Sequence, residues 1–391
     1  MLPKAIPLAT TADNCHSADF LKMQSVLRTD ERLANIVKPT MEPFDAVSIS
    51  TGDVLVVCAG FEERSVETLR AASRKGSGFK VLIIEYLPSY ADNRIDELLY
   101  ICHEFKLEYE RLTYDRQTPA GFGEILVQRL NGMARRLFLD ISGMSRLLIV
   151  QTLVALRVLG WNLGQCFIVY AEAKTYPPTQ EDVNRAIQES DRDPMFAALF
   201  LSAGVFEVTV VPELSAASLG ANQSRLVSFP SFNTYQLIAL RQDLQPSRYA
   251  YIHGIPPSNE NKWRTESIIT LNHIGKTKSE MNSVVAHSFG KSAGSPAGGS
   301  KREEHYHTST LDYRETLECL CKIYAIHGMR DRLLISPTGS KMQVVAVGLF
   351  RAFIEDVQIV YPTPRVFTEP KNYTTGIGPL HILPLGAFGS V

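Results

Sequence analysis

The sequence has almost no net charge. Its 391 residues carry 40 Lys and Arg against 41 Asp and Glu, a formal balance of −1. No global basic field draws such a chain onto nucleic acid, so broad duplex binding is not expected. Long apolar runs are also missing: none reaches the roughly 18 residues that a membrane helix needs. The first twenty residues lack the continuous apolar core of a secretory signal, and no membrane partner is expected. Cysteine is sparse, with six residues at 15, 58, 102, 166, 319 and 321. Cys58 and Cys166 sit inside apolar, strand-like runs, where a thiol acts as a small hydrophobe. Cys319 and Cys321, two apart on a helix, face different directions and make no redox or metal pair. These absences exclude a disulfide framework and point to a reduced, cytoplasmic chain.

Familiar catalytic signatures are missing too. There is no G-x-x-x-x-G-K-[ST] phosphate loop, and no G-x-G-x-x-G follows the first strand of either half, so no dinucleotide cofactor is expected. No G-x-S-x-G elbow appears. His305-Tyr306-His307, after Glu303-Glu304, has ligand-type side chains, but it lies in a stretch rich in Gly, Ser and charge with no partner cysteines. No metal is expected, and no catalytic residue is assigned.

What is present is a soluble globular composition, 45% apolar and 21% charged, long enough for two ordinary domains. After a leader over residues 1–49, strand-like apolar runs alternate with helical segments. "DVLVVCA", "KVLIIEYLP", "LEYERLTYD", "RLFLDI" and "QCFIVYAEA" are predicted strands, and "FEVTVVPEL" is expected to close the half. The second half repeats the order with "SRLVSFPSF", "RYAYIHGIPP", "NSVVAHS", "DRLLISP", "VQIVYPTP" and "GPLHILPL". Matched elements over some 180 residues indicate an internal duplication of one unit. Continuous β-branched runs with intervening helices imply mostly parallel sheets covered on both faces. The expected fold is α/β, two tandem Rossmann-like domains over 50–218 and 222–391. The stretch 289–309 is read as a flexible insertion in the second.

In parallel sheets ligands gather where strands hand over to helices, because helix N-termini offer unpaired N–H groups and partial positive charge. After the fourth strand of the first half comes Asp140-Ile141-Ser142-Gly143-Met144-Ser145-Arg146. Its counterpart is Ser336-Pro337-Thr338-Gly339-Ser340-Lys341. Each combines hydroxyls, a glycine that permits close approach, and a cation, a chemistry that suits phosphate. The same residue types also make an ordinary capped helix start. The predicted ligand-binding set is Ser142, Gly143, Ser145, Arg146, Thr338, Gly339, Ser340 and Lys341, with Glu63, Arg64, Asn233 and Arg365 from neighbouring loops. Tyr170, Tyr361 and Tyr373 are candidates to stack on bases or to serve as core rim.

The Thr338-Gly339-Ser340-Lys341 turn after a fourth strand, in a domain with a small polar first loop, resembles that of the CRISPR-associated Rossmann-fold (CARF) sensors. Two such units in one chain are similar to the related SAVED sensors of anti-phage signalling. The resemblance covers about residues 50–391 at the level of fold, with its motif confined to the two turns. It implies a nucleotide ligand, a cyclic or linear oligonucleotide second messenger, in a cleft formed by the paired units. Those sensors usually carry a fused effector. None is found in this sequence, so a separate effector protein is the expected partner, with homo-oligomers allowed. Two other readings stay open: an enzyme that cleaves or modifies a nucleotide in the same cleft, and a scaffold that binds only a protein.

Overall fold

The structure, a computed structural model, describes Leu33 and residues 36–190, 202–216, 223–272, 302–367 and 374–389. In chain order the elements of the first half are β1 (Glu42–Pro43), β2 (Asp53–Cys58), α1 (Glu67–Lys75), β3 (Lys80–Leu87), α2 (Ile95–Glu104), β4 (Glu108–Asp115), α3 (Phe122–Leu130), β5 (Arg136–Asp140), α4 (Arg146–Val158), β6 (Cys166–Thr175), α5 (Gln180–Ser190) and β7 (Ser202–Thr209). The second half follows with β8 (Gln223–Ser228), α6 (Thr234–Leu244), β9 (Arg248–Ile255), α7 (Trp263–Leu271), β10 (Glu303–Ser309), α8 (Tyr313–His327), β11 (Asp331–Ser336), α9 (Lys341–Phe353), β12 (Gln358–Ile359), β13 (Tyr361–Phe367) and β14 (Thr375–Pro384).

Strand β2, "DVLVVC", is buried at every position, as a central strand covered on both faces must be. It pairs in parallel with β3 and β5, and β3–β4 and β5–β6 are parallel as well. The second half is built alike, in the order β10-β9-β8-β11-β12, all parallel. Both sheets thus wind in the order 3-2-1-4-5, and the α/β, Rossmann-like class expected from the sequence is the one observed. Most of α4 and α9 is buried, and the two helices lie against each other. A Cβ placed on Gly348 of α9 would sit 2.7 Å from Leu153 Cδ1 of α4. Glycine is what lets the helices approach this closely. One hydrophobic core therefore runs from the first sheet through α4 and α9 into the second.

The closing strands differ from the expectation. "FEVTVVPEL" and "GPLHILPL" do not each close their own half. Strand β14, at the end of the chain, pairs antiparallel with β6 of the first sheet, and β7 of the first half pairs antiparallel with β13 of the second. The β7–β13 pair stands apart as a two-stranded sheet. Local periodicity marks a strand but not its partner, so these pairings across the halves are invisible in a single sequence. The limits 50–218 and 222–391 divide the chain without dividing the sheets.

The third strand of the second sheet is a second correction. "NSVVAHS" lies outside the described residues, and the strand is β10, "EEHYHTS", at the end of the stretch read as a flexible insertion. Its polar letters conceal a buried strand, because its partners are polar as well. His253 of β9 stacks against His305 and His307, with ring centroids 5.4 and 5.1 Å away. Glu304 pairs with Arg225, which also pairs with the buried Asp331. The remainder of 289–309 lies outside the described residues. No group of His, Cys, Asp and Glu among the described residues has metal-binding geometry. The five described cysteines are free thiols, and no described helix is long and apolar enough to cross a membrane.

Candidate functional site

The strands of both sheets deliver their carboxyl ends to one cleft between the halves, with a volume of about 600 Å³. Each loop contributes just after its strand. Gly60–Glu62 and Arg64 follow β2, Arg116 follows β4, and Ser142–Leu147 follow β5. Opposite them, Ser231–Asn233 follow β8, Pro256–Ser258 follow β9, and Ser340 and Lys341 open α9.

The two turns singled out in the sequence meet here, and each holds the other. Arg146 Nε donates to the Gly339 carbonyl at 2.6 Å, and Lys341 Nζ donates to the Met144 carbonyl. The serines are helix caps. Ser145 Oγ accepts from Leu148 N and Ser340 Oγ from Gln343 N, each at 3.2 Å, and the Gln343 side chain returns the bond to Ser340 N. Ser142 Oγ accepts from Ala171 N, and the buried Thr338 donates to the Phe229 carbonyl at 2.8 Å. Gly143 is pinned beneath: a Cβ there would stand 2.5 Å from the Cys58 carbonyl oxygen. Tyr86 of β3 stitches the same turn, accepting from Ser145 N at 2.6 Å and donating to the Gly143 carbonyl at 3.1 Å.

So the hydroxyls and glycines serve mainly to build the turns. The cations reach further. An arginine has five N–H donors and a lysine three, so one interface bond leaves each with donors to spare, and both side chains line the cleft. Thr338 and Gly339 lie behind the wall. Glu63 faces the β14 end, accepting from Gly376 N at 3.1 Å, while its neighbour Glu62 lines the cleft. Arg64 and Asn233 line it too. Of the tyrosines, Tyr170 and Tyr361 line the wall, Tyr373 lies outside the described residues, and the side chain of Arg365 does as well.

Charge is concentrated here. Six cations line the cleft (Arg64, Arg116, Arg146, Lys174, Arg264 and Lys341) against two carboxylates, Glu62 and Glu172. Both carboxylates are already engaged, Glu62 with Arg64 at 2.7 Å and Glu172 with His381 at 2.7 Å. Desolvation pulls the Lys341 pKa down to about 7, with Arg64 adding to the effect and Glu62 opposing it. Below the turn, burial raises the Asp140 carboxyl to about 6 against hydrogen bonds from Ser142. Burial raises the Cys58 thiol to about 12, which keeps it an inert neutral packer.

Several lining residues were missed in the sequence, Tyr86, Tyr114, Arg116, Gln236 and Arg264 among them. Tyr86 and Tyr114 sit inside β3 and β4, where a tyrosine reads as core. Arg116 is the first residue after β4, a position of the kind that exposed the other candidates. Its guanidinium carbon lies 4.0 Å from the centroid of the Tyr86 ring. Arg264 sits one residue into α7, beyond the loops inspected for candidates. It spans the halves, donating to the carbonyls of Tyr176, Pro177 and Pro178 at 2.9–3.0 Å.

No known family profile matches the chain, and no curated protein matches it. Two solved structures show weak likeness. One is the U34-tRNA thiolase NcsA from Methanococcus maripaludis with its [4Fe-4S] cluster, at 10% identity and a TM-score of 0.18, covering 35% of this chain and 49% of that one. The other is the cytoplasmic domain of a prokaryotic cation chloride cotransporter, at 6% identity and a TM-score of 0.23, covering 83% of this chain and 98% of that one. The chain thus spans about half the length of the thiolase structure. Scores this low assign neither fold nor function.

Proposed function

We propose that the cleft between the halves binds a phosphorylated ligand of the nucleotide class, and that the protein is a sensor or regulatory subunit rather than an enzyme. The observation that carries this reading is the charge distribution: a chain of net charge −1 gathers six cations against two engaged carboxylates in one cleft. Helices α4 and α9 also direct their N-terminal ends into it, adding partial positive charge. The resemblance of the Thr338–Lys341 turn to CARF and SAVED sensors supports an oligonucleotide second messenger as ligand. A place in a bacterial anti-phage system, acting in the cytoplasm through a separate effector, belongs to the same proposal. The common 3-2-1-4-5 strand order supports descent of the halves from one duplicated unit.

Titration calorimetry with linear and cyclic oligoadenylates tests the reading. Arg146→Ala combined with Lys341→Ala is expected to weaken binding roughly a hundredfold, since each hydrogen bond to a charged group contributes about 1.5–3 kcal/mol. Both residues also join the halves, so a thermal melt must show that the variant still folds. Lys174→Ala, an exposed cation outside that clasp, supplies a second variant. Unchanged binding in both would sink the proposal.

The enzymatic reading has one observation in its favour: a lysine brought near neutrality in a cleft can accept a proton. Chromatography of the ligand after incubation separates the two, because intact ligand supports the sensor.

A further inference from the structure

The two walls of the cleft are chemically unequal. The first half supplies four of the six cations, Arg64, Arg116, Arg146 and Lys174, and both carboxylates. The second supplies Arg264 and Lys341, and both are turned toward the first half. Arg264 holds the Tyr176–Pro178 carbonyls, and Lys341 reaches the Met144 carbonyl. What remains of the second wall is uncharged: Ser231, Phe232, Asn233, Gln236, Pro257 and Asn261.

Gln236 is the informative member. It is 5% exposed yet lines the cleft. Its carbonyl oxygen accepts a long 3.5 Å bond from Ser231 Oγ, and its amide nitrogen has no protein partner among the described residues. Because Gln236 lines the cleft, this donor opens into it and is available to an acceptor there. An acceptor on a flat heteroaromatic ring suits that donor, and Phe232 and Pro257 of the same wall offer such a ring apolar surface. A ligand with twofold symmetry would press equal charges onto both walls, whereas both cations of the second wall reach across to the first.

We infer that the cleft takes an asymmetric ligand, a single nucleotide unit, with its phosphates against the first half and its base edge hydrogen-bonded by Gln236 of the second. This rests on the proposed phosphate cleft and puts a single nucleotide there in place of an oligonucleotide. The geometry distinguishes it from a symmetric cyclic messenger, which would need two matching base sites.

Calorimetry with three probes, inorganic tripolyphosphate, adenosine 5′-triphosphate and cyclic tetra-adenylate, tests it on the full chain. The triphosphate is expected to bind one per chain and more tightly than either other probe. Gln236→Leu should weaken it about tenfold and leave tripolyphosphate unchanged, while Lys174→Ala should weaken both alike. Repeating the titration with the other three nucleoside triphosphates covers a different base. If cyclic tetra-adenylate binds and no mononucleotide competes with it, the asymmetric assignment is overturned while the phosphate cleft stands. Equal loss of nucleotide and tripolyphosphate in Gln236→Leu, or loss of neither, overturns the role of Gln236. If no probe binds at all, the phosphate cleft fails and this inference with it.

Discussion

Burial, reinforced by Arg64 and then Arg146, works against the charged form of Lys341 and brings its pKa from 10.5 to about 7, while Glu62 acts in the opposite sense. A phosphate beside it would favour the ammonium, so binding above pH 7 should take up a proton. Affinity is expected to hold below pH 7 and to fall by up to about tenfold per pH unit above it. Titrations from pH 6 to 9, in buffers of different ionisation enthalpy, would show both effects. Lys341→Arg should flatten the profile, since arginine stays charged throughout. Without ligand the sign reverses: folded Lys341 binds fewer protons than the unfolded chain between about pH 7 and 10.5, so its contribution makes the protein more stable as pH rises across that window. At this scale the sequence exposed the turns but not their division of labour. Ser145 and Ser340 read equally as caps or as phosphate donors, and the structure uses them as caps. Gln236, in the first turn of α6, carried no signal, because its proposed role rests on an amide nitrogen that no described protein group engages.

Among the elements, β10 shows where pattern reading fails. "EEHYHTS" has few apolar letters, yet His305 and His307 are buried against His253, and Glu304 is held by Arg225 and His327. Apolar strands such as β2 and β5 announce themselves because water expels them. A strand buried by ring stacking and ion pairs does not. The arrangement has a cost in acid. Burial lowers the His305 pKa to about 4 and holds that of His253 well below the ordinary histidine value, with neighbouring histidines opposing the charge of His253. The unfolded chain therefore binds more protons between about pH 6.5 and 4, and stability should fall as pH drops through that range. For His305 alone the loss approaches about 3 kcal/mol. Hydrogen exchange at pH 5 against pH 7 should show β9 and β10 opening before the first sheet, and His305→Phe should shrink the difference. Uniform protection at both pH values would contradict this account.

For the whole molecule, the α/β class and the apolar strands were legible because both follow from local periodicity. The pairing of β7 with β13 and of β14 with β6 was not, since pairing is decided by packing between distant segments. Cutting the chain within 217–222, at an inserted protease site, should leave the two pieces together on native gel filtration. They are joined by two strand pairs and by the packing of α4 against α9. Denaturant should separate them in a single transition, with no folded half surviving alone; two transitions would show that the halves are independent.

The strands paired across the halves also constrain how the cleft can work. With β14 laid into the first sheet and β7 paired with β13 in a two-stranded ribbon, swinging the halves apart about a hinge would break hydrogen-bonded ladders at two places. The proposed ligand would then enter and leave through the cleft mouth without the halves parting. Any message of its presence would pass outward through the rim, by the shape and charge of the plugged opening, rather than by a jaw that shuts.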